Sequence, residues 1–350
     1  MAVYAIWNNK GGVGKSYLTF QVAAEYARTH PDRKILVIDL CPQANASGML
    51  LGGIVAGESA LEQLATRVPR RTISGYVEDR IFSPYQNPRT GANFVTNVAE
   101  LNSQIPSNLY LVVGDEQLEI QSSRVSNATF PGPADAWRLV HTWISDLIHD
   151  IQTAWNQQEM TVFIDCNPSF SIYTELALSA SDRLMIPFSA DGSSKRAVRA
   201  VLALVYGVGR YSGAQQSEFV INSNRFNLQV PKIYCYIGNR LTQYVGSAAA
   251  FKTVVKEIGD EIWDVWQNHP NFFWIRPKSL KNGRKTFEND FKFEINDANT
   301  ASVVSSALGI PIMVLTAGPK QITVDRQVQV NQSQLDRQQP NISELVGRID

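Results

Sequence analysis

The chain has 350 residues, and 44% of them are hydrophobic, which is enough to bury the core of one large α/β domain or of one domain with sizeable insertions. Lysine plus arginine and aspartate plus glutamate each total 32, so no global charge excess indicates a nucleic-acid or membrane partner, and any such surface must be local. No apolar run approaches the length of a membrane span and the first residues lack a signal-peptide layout, so we expect a soluble protein.

The predicted elements alternate between strand and helix. Residues 2–7 (AVYAIW) form a short apolar run, a glycine-rich turn follows, and residues 16–28 carry apolar side chains at helical spacing. ILVIDL at 35–40 has no polar alternation, which indicates a buried parallel strand. Further strands are predicted at 109–113, 161–164, 183–188 and 232–237, and helices at 134–155, 194–206 and 247–265. This alternation predicts a doubly wound, mostly parallel α/β sheet flanked by helices.

Three regions fit this pattern less well. Residues 66–100 are rich in Arg, Pro and Gly, and we predict an irregular insertion there; residues 211–230 are predicted to form a polar loop. Residues 321–339 hold seven Gln, which is typical of either a solvated terminal helix or a loose tail. We expect residues 1–350 to form a single domain that contains these segments.

The cysteines indicate the compartment. Cys41, Cys166 and Cys235 are far apart in the sequence and have no CxxC spacing. Three scattered cysteines are typical of a reducing environment, so we expect a cytoplasmic protein.

A glycine-rich turn, KGGVGKS at residues 10–16, lies between the first predicted strand and the first helix. Such a turn exposes backbone N–H groups at a helix N-terminus, where they cradle phosphates. Lys15 is placed to reach the β- and γ-phosphates, and the Ser16 hydroxyl is a natural ligand of nucleotide-bound Mg²⁺. Asn9 stands where the strict GxxxxGK[ST] pattern requires Gly, but the strand-to-helix context supports the site independently. The predicted ATP- and Mg²⁺-binding loop comprises Gly11, Gly12, Val13, Gly14, Lys15, Ser16 and Tyr17.

Polar residues follow several of the predicted strands. Asp39 and Asp165 each end an apolar strand, and parallel strands bring their carboxyl ends to one edge of the sheet. A carboxylate there can reach Mg²⁺ directly or through water, although a turn-capping Asp is the ordinary alternative. Asn239 follows another buried strand, where it is either an adenine contact or a turn-forming residue.

Residues 10–16 resemble the deviant Walker A box of the ParA/MinD family of P-loop ATPases, and the ParA-type partition ATPases in particular. Residues 35–47, 108–118, 164–171, 186–194 and 236–240 are similar to further family segments in the same order. The resemblance covers roughly residues 2–240 and thins out in 66–100 and from 241, so 241–350 is expected to be family-variable. It implies that Lys10 crosses a sandwich homodimer to the partner's nucleotide, with Lys15 and Asp39 as the other catalytic residues.

The sequence departs from the family pattern at two positions. Cys41 stands where the resemblance implies a second acidic residue that orients the attacking water, and a thiol with an ordinary pKa of about 8.5 is a poor substitute. The departure predicts slow hydrolysis or a long-lived ATP-bound dimer. Tyr17 replaces a small hydroxyl residue, although its backbone N–H can still serve the α-phosphate. Gln43 and Asn45 lie in the segment that resembles switch I.

Basic residues are concentrated in WIRPKSLKNGRK, residues 274–285. Together with a second group at residues 67–71, they predict either a phosphate-backbone footprint for non-specific DNA or an ordinary solvated surface. The predicted DNA contacts are Arg276, Lys278, Lys281, Arg284 and Lys285. The ending NISELVGRID is too short and too weakly basic for the amphipathic membrane helix of MinD-like proteins, so no membrane partner is expected.

Three functions are compatible with these observations. The first is a ParA-type ATPase, nucleoid-associated in a prokaryote, that segregates a plasmid or chromosome with a ParB-like, centromere-binding partner. The second is a related ATPase that positions a protein cargo through an adaptor, with slow hydrolysis. The third is a metabolic P-loop enzyme, although the scattered cysteines argue against an iron–sulfur protein.

Overall fold

A computed structural model describes residues 1–209, 215–241, 248–276 and 283–350. Within these residues an eight-stranded sheet has the spatial order β3-β4-β2-β5-β1-β6-β7-β8. Its strands are β1 (Ala2–Ile6), β2 (Lys34–Asp39), β3 (Val95–Asn97), β4 (Leu109–Val112), β5 (Met160–Asp165), β6 (Arg183–Phe188), β7 (Lys232–Leu241) and β8 (Lys292–Asn296). All neighbouring strands are parallel except β3 and β4. The predicted doubly wound, mostly parallel sheet is confirmed.

Helices cover both faces of the sheet. They are α1 (Lys15–Thr29), α2 (Asn45–Leu50), α3 (Gly53–Ala65), α4 (Ile73–Phe82), α5 (Gln117–Ala128), α6 (Ala136–His141), α7 (Trp143–Ala154), α8 (Ile172–Ser179), α9 (Ser194–Tyr206), α10 (Glu218–Arg225), α11 (Ala248–Asn268), α12 (Arg284–Phe291), α13 (Thr300–Leu308) and α14 (Gln332–Val346). Successive residues of β1 and β2 alternate between two hydrophobic clusters because strand side chains point alternately to either face. One cluster contains α1, α13 and α14, and the other contains α7, α8, α9 and α11. Across the described residues, no helix combines the length and apolar character of a membrane span.

Residues 66–100 are more regular than predicted. They contain α4 and the edge strand β3, which pairs antiparallel with β4. In α4 the buried residues Ile73, Tyr76 and Val77 recur at i, i+3 and i+4, and this helical spacing is short enough to be obscured by the flanking Arg, Pro and Gly residues. The prediction of an irregular insertion is therefore wrong for this helix and strand.

Two other segments also differ from their predictions. Residues 218–225, predicted to lie in a polar loop, form α10, whose Phe219 is buried. The Gln-rich segment is a hairpin of β9 (Gly318–Thr323) and β10 (Arg326–Val330), followed by α14. This helix packs against α1 and buries Leu335, Gln338 and Ile342 at helical spacing, so the segment is neither a loose tail nor a fully solvated helix.

Close packing between α3 and α13 depends on glycine at position 53. Gly53 has φ +79°, and a Cβ added there would lie 2.1 Å from the carbonyl oxygen of Ala307. Gly53→Ala is expected to lower the free energy of unfolding by about 2 kcal/mol or more, because the alanine would be both strained and overpacked. Urea unfolding measures the change. Gly283→Ala is the control, since a Cβ at Gly283 meets open space, and equal stability of the two variants would contradict the prediction.

Candidate nucleotide-binding site

The glycine-rich loop connects β1 to α1 at the carboxyl edge of the sheet. Gly12 and Gly14 have φ values of +75° and +82°, which L side chains rarely adopt, so this backbone path accounts for both glycines. The Lys15 ammonium lies 2.9 Å from the Lys10 carbonyl oxygen and 3.4 Å from that of Asn8. The side chain of Lys15 is thus folded back into its own loop, at the N-terminus of a helix.

An open cleft of about 800 Å³ begins at this loop. One wall consists of the loop and the start of α1, and a second consists of α2, α3 and the strand ends near Cys41 and Cys166. The remaining walls are formed by α13 and the β9–β10 hairpin, which belong to the C-terminal region. A cleft of this volume accommodates a nucleotide-sized ligand. Of the predicted loop residues, those lining it are Gly12, Gly14, Lys15, Ser16 and Tyr17.

Asp165 lies beside the loop at the end of β5 and is fully buried. Its Oδ1 accepts a hydrogen bond from Thr19 Oγ1 at 3.3 Å. The other oxygen, Oδ2, is buried and has no hydrogen-bond partner among the described residues. Burial, and then the nearby Asp39, raise the pKa of Asp165, although Lys15 and the hydroxyl donors oppose the rise.

The buried, unpartnered oxygen of Asp165 fits a magnesium ion. Mg²⁺ prefers oxygen ligands, and it would restore the charged carboxylate that burial disfavours. Ser16 and Asp165 would hold the ion, which when bound with ATP would neutralise negative charge on the phosphates. The predicted pairing of Ser16 with Asp165 as metal ligands stays a prediction.

Asp39 at the end of β2 is hydrogen-bonded within the loop that follows the strand. Its Oδ1 accepts from the Cys41 backbone N–H at 3.0 Å, and its Oδ2 accepts from the Ser47 N–H at 2.9 Å and the Ser47 hydroxyl at 2.8 Å. Ser47 Oγ in turn accepts from the Gly114 N–H at 2.9 Å. Both oxygens thus hold the loop after β2, and a role of Asp39 in metal ligation or catalysis stays a prediction.

Cys41 lies at the wall of the cleft without the properties of a base. The side chain is buried, and burial, followed by the charge of Asp39, raises its pKa to about 12. The thiol is therefore protonated at neutral pH and accepts a proton poorly. Because Cys41 stands where the family resemblance implies an acidic residue, the cleft wall has no carboxylate at this position.

Lys10 is directed away from the loop that holds Lys15. Its ammonium lies 3.2 Å from Oγ of Ser189 and 3.2 Å from Oγ of Ser194, and it forms an ion pair with Asp191. These partners follow β6 and begin α9. Although partial burial opposes the effect, hydrogen bonds from Lys10 and from the neighbouring serines lower the pKa of Asp191. The two lysines of the motif therefore occupy separate environments.

Tyr17 and Asn239 connect the loop to the C-terminal half of the chain. The Tyr17 hydroxyl donates to Oε1 of Gln338 in α14 at 2.6 Å. The side-chain amide of Asn239 donates to the Val13 carbonyl oxygen at 2.9 Å, and Asn239 is buried. Both side chains therefore help to fix the phosphate loop in place. An adenine contact from Asn239 stays a prediction.

Comparison with known proteins identifies the family of the chain. A sequence profile described as an AAA domain, of the ParA/MinD type, matches residues 1–215, which is more than half of the chain. The chain belongs to this family of ParA-like P-loop ATPases. An uncharacterised Pseudomonas putida protein is 26% identical over 192 residues, which are 54% of this chain and 56% of that relative. The match thus spans little more than half the length of this curated relative.

Solved structures share the same fold. An ATP complex of a substituted McdA from Cyanothece superposes with a TM-score of 0.57 at 15% identity, covering 100% of this chain and 98% of that one. A putative plasmid partition protein from Borrelia burgdorferi, bound to AMPPNP, superposes with a TM-score of 0.45 at 17% identity, covering 82% of this chain and 95% of that one. Cobyrinic acid a,c-diamide synthase from Mycobacterium smegmatis, with an ATP analogue and magnesium, superposes with a TM-score of 0.47 at 15% identity, covering 74% of this chain and 82% of that one. The McdA superposition, with a TM-score above 0.5, shows that this chain shares the McdA fold.

The predicted DNA contacts are only partly described. Lys278 and Lys281 lie outside the described residues. The Arg276 guanidinium stands 4.5 Å from the ring centroid of Tyr234 and donates to the Asp290 carbonyl oxygen, while Arg284 forms ion pairs with Asp260 and Glu288. These two guanidinium groups are engaged within the chain. Lys285 is exposed, and its contact with DNA stays a prediction.

Two features of the site were not predicted from the sequence. Asp39 and Asp165 are the last residues of β2 and β5, and Asp191 lies three residues after the end of β6, so reasoning from strand ends would also have selected it. The contribution of α13 and of the β9–β10 hairpin to the cleft has no local signal, because it arises from packing between distant segments. The second case required the structure.

Proposed function

We propose that this protein is an ATP-dependent dimerisation switch. It binds ATP and Mg²⁺ in the cleft, forms a nucleotide sandwich homodimer, binds DNA without sequence preference and drives segregation of a plasmid or chromosome with a ParB-like, centromere-binding partner. The observation that carries the proposal is the separation of the two lysines. Lys15 is folded into the loop that would hold the phosphates, whereas Lys10 leaves this loop and lies at its rim.

The environment of Lys10 suits an exchange of partners. The side chain of Asp191 is 49% exposed and that of Lys10 is 20% exposed, and an ion pair of this kind contributes only about 0–1 kcal/mol. Lys10 can therefore exchange Asp191 at little cost for a phosphate of the partner subunit's nucleotide, a stronger charge-assisted contact. A γ-phosphate adds negative charge that ADP lacks, so the contact would favour the ATP-bound dimer.

Slow hydrolysis is part of this proposal. The Cys41 thiol is protonated, and Asp39 already accepts three hydrogen bonds within its loop. Neither side chain is well suited to orienting an attacking water molecule. A slow chemical step would give the ATP-bound dimer a long lifetime, which serves a switch.

A second candidate is the same switch acting on a protein cargo instead of DNA. It is favoured by the intrachain contacts of Arg276 and Arg284, which engage two of the five cations predicted to contact DNA. In this case the dimer would bind a cargo adaptor, and the nucleotide chemistry would be unchanged. DNA binding by the isolated dimer separates the two candidates.

Analytical ultracentrifugation with ADP, ATP and a non-hydrolysable analogue tests the proposal. The wild-type protein is expected to dimerise with ATP and with the analogue but not with ADP, and Lys10→Ala is expected to remain monomeric while still binding ATP. Lys252→Ala, which alters an exposed lysine on α11, should behave as wild type. Asp191→Asn removes the competing carboxylate and should permit dimerisation at equal or lower ATP concentration.

Two outcomes of this experiment bear on the proposal as a whole. A monomer in every nucleotide state, or a Lys10→Ala protein that dimerises like the wild type, would overturn the switch. Repeating the ATP experiment with non-specific duplex DNA of about 30 base pairs then decides between the candidates. If DNA co-sediments with the dimer and this binding weakens as the salt concentration is raised, segregation is supported. A dimer that does not bind DNA supports a protein cargo.

A further inference from the structure

The β9–β10 hairpin is firmly attached to the body of the protein. Ile322 of β9 and Val330 of β10 are buried in the hydrophobic cluster that contains α1 and α13. Both hairpin strands lie against α13, and the Val328 side chain packs against the same cluster. The Gln321 side-chain amide donates to the carbonyl oxygens of Thr323 and Val324, which holds the turn. The position of the hairpin at the cleft is therefore set by apolar packing.

The hairpin brings a cation to the nucleotide cleft. Arg326, the first residue of β10, lines the same cleft as Lys15 and Ser16, together with Ile322. Its side chain is exposed, and no hydrogen bond, ion pair or ring contact joins it to another part of the chain that the structure describes. Lys15 is already surrounded by the carbonyl oxygens of its own loop. Arg326 is thus a cleft-lining cation that the phosphate loop does not use.

The chemistry around Arg326 suits a base better than a phosphate. The phosphates are expected at the glycine-rich loop, where backbone N–H groups and Lys15 meet the N-terminus of α1. The wall next to the hairpin is lined by the apolar side chains of Val303, Ala307 and Ile322, together with Ser302 and Ser306 of α13. A planar guanidinium beside apolar side chains can stack on the face of a purine, which an ammonium group does less well.

We propose that Arg326 is a nucleotide-binding residue that stacks on the base of the bound nucleotide, so that the β9–β10 hairpin forms the outer wall of the nucleoside half of the cleft. This inference rests on the proposed nucleotide site. It assigns a binding role to the C-terminal region beyond the segment that matches the family profile. Affinity for the nucleoside part of ATP then depends on a residue more than 300 positions from the phosphate loop.

Isothermal titration calorimetry on the full chain tests the assignment, with ATP, ADP and inorganic tripolyphosphate as ligands in the presence of Mg²⁺. Arg326→Ala is expected to lower the affinities for ATP and ADP by about tenfold and to leave the affinity for tripolyphosphate unchanged, because the lost contact is with the base. Arg326→Lys should not restore the affinity. Arg124→Ala, at an exposed arginine on α5, is the matched control and should bind all three ligands as wild type.

Each other outcome overturns the inference. If Arg326→Ala lowers the affinities for ATP and tripolyphosphate equally, Arg326 contacts phosphate. If Arg326→Lys binds ATP as tightly as the wild type, the charge alone matters. If Arg326→Ala leaves all affinities unchanged, Arg326 makes no contact with the nucleotide. Thermal unfolding of the ligand-free variants checks that folding is intact, as expected for an exposed side chain. If the wild-type chain binds no nucleotide, the proposed function fails; if it binds ATP and Arg326→Ala binds equally well, this inference fails alone.

Discussion

Lys15→Met is expected to reduce ATP affinity by about 100-fold while leaving the nucleotide-free protein folded. The Lys15 ammonium lies in the loop where the phosphates would bind, and a charge-assisted contact with phosphate accounts for roughly 2.8 kcal/mol of such a loss. Burial lowers the pKa of Lys15, which means that its charged form is disfavoured in the nucleotide-free protein. Replacement by an apolar side chain of similar length should therefore change the free energy of unfolding by less than about 1 kcal/mol.

The matched control for this variant is the other lysine of the motif. Lys10→Met should bind ATP within about threefold of the wild type, because Lys10 is directed to Asp191 and not into its own loop. Titration calorimetry with ATP and Mg²⁺ gives both affinities, and urea unfolding gives both stabilities. If both variants lost ATP binding to the same extent, the prediction that Lys15 but not Lys10 binds the nucleotide of its own subunit would be refuted.

Much of the fold could be predicted because the central strands carry a strong signal. The strands β1, β2, β4, β5 and β6 are nearly continuous apolar runs, as expected of strands buried on both faces, and their predicted bounds agree with the structure to within one residue. Parallel pairing then places the ends of β2 and β5 side by side, with Asp39 in register with Asp165. The edge of the sheet that holds the site was therefore available from the sequence.

The peripheral elements were harder to predict because their signals are short or mixed. The edge strand β3 has three residues, and β8 alternates between buried and exposed positions within a segment rich in charge. In α14 the buried side chains include Gln338, which is hydrogen-bonded to Tyr17 and therefore carries no hydropathic signal. Such elements are fixed by tertiary contacts more than by local preference.

The two predicted carboxylates of the site illustrate how far strand-end reasoning extends. It placed Asp39 and Asp165 together correctly, but position in the sheet does not determine which carboxylate is available to a metal. That depends on the loop that follows each strand. Ser47 returns over Asp39 and occupies its Oδ2, whereas Oδ2 of Asp165 has no partner within the described part of the chain. The distinction lies in side-chain contacts that the sequence pattern does not contain.

Asp165→Asn is expected to reduce Mg²⁺-dependent ATP hydrolysis by at least about 100-fold and, at the same time, to stabilise the nucleotide-free protein. The first effect follows because an amide cannot replace a carboxylate as a ligand that balances the charge of Mg²⁺. The second follows because Asp165 is fully buried close to Asp39, and both effects raise its pKa. A loss of hydrolysis together with a gain in the free energy of unfolding would identify Asp165 as a residue kept for function at a cost in stability.

The stabilisation should depend on pH in a defined direction. An aspartate with a raised pKa in the folded state contributes fully to stability below the unfolded value of about 3.9, and this contribution is lost as the pH rises through the folded value. The wild-type protein therefore loses about 1.4 kcal/mol for each pH unit between the two values, and Asp165→Asn does not. Urea unfolding without nucleotide should show a small difference between the proteins at pH 5 and a larger one at pH 8.5.

The binding of magnesium should follow the same titration. Because Asp165 must lose its proton to hold the metal, the affinity for Mg²⁺ in the presence of ATP should increase with pH and should be accompanied by proton release from the protein. Asp32→Asn, at an exposed aspartate, is the control and should keep the wild-type hydrolysis rate and the wild-type dependence of stability on pH. The wild-type protein and Asp165→Asn could instead show the same pH dependence of stability. Asp165 would then be ionised at no cost in the nucleotide-free protein, and its assignment as a Mg²⁺ ligand would lose its physical basis.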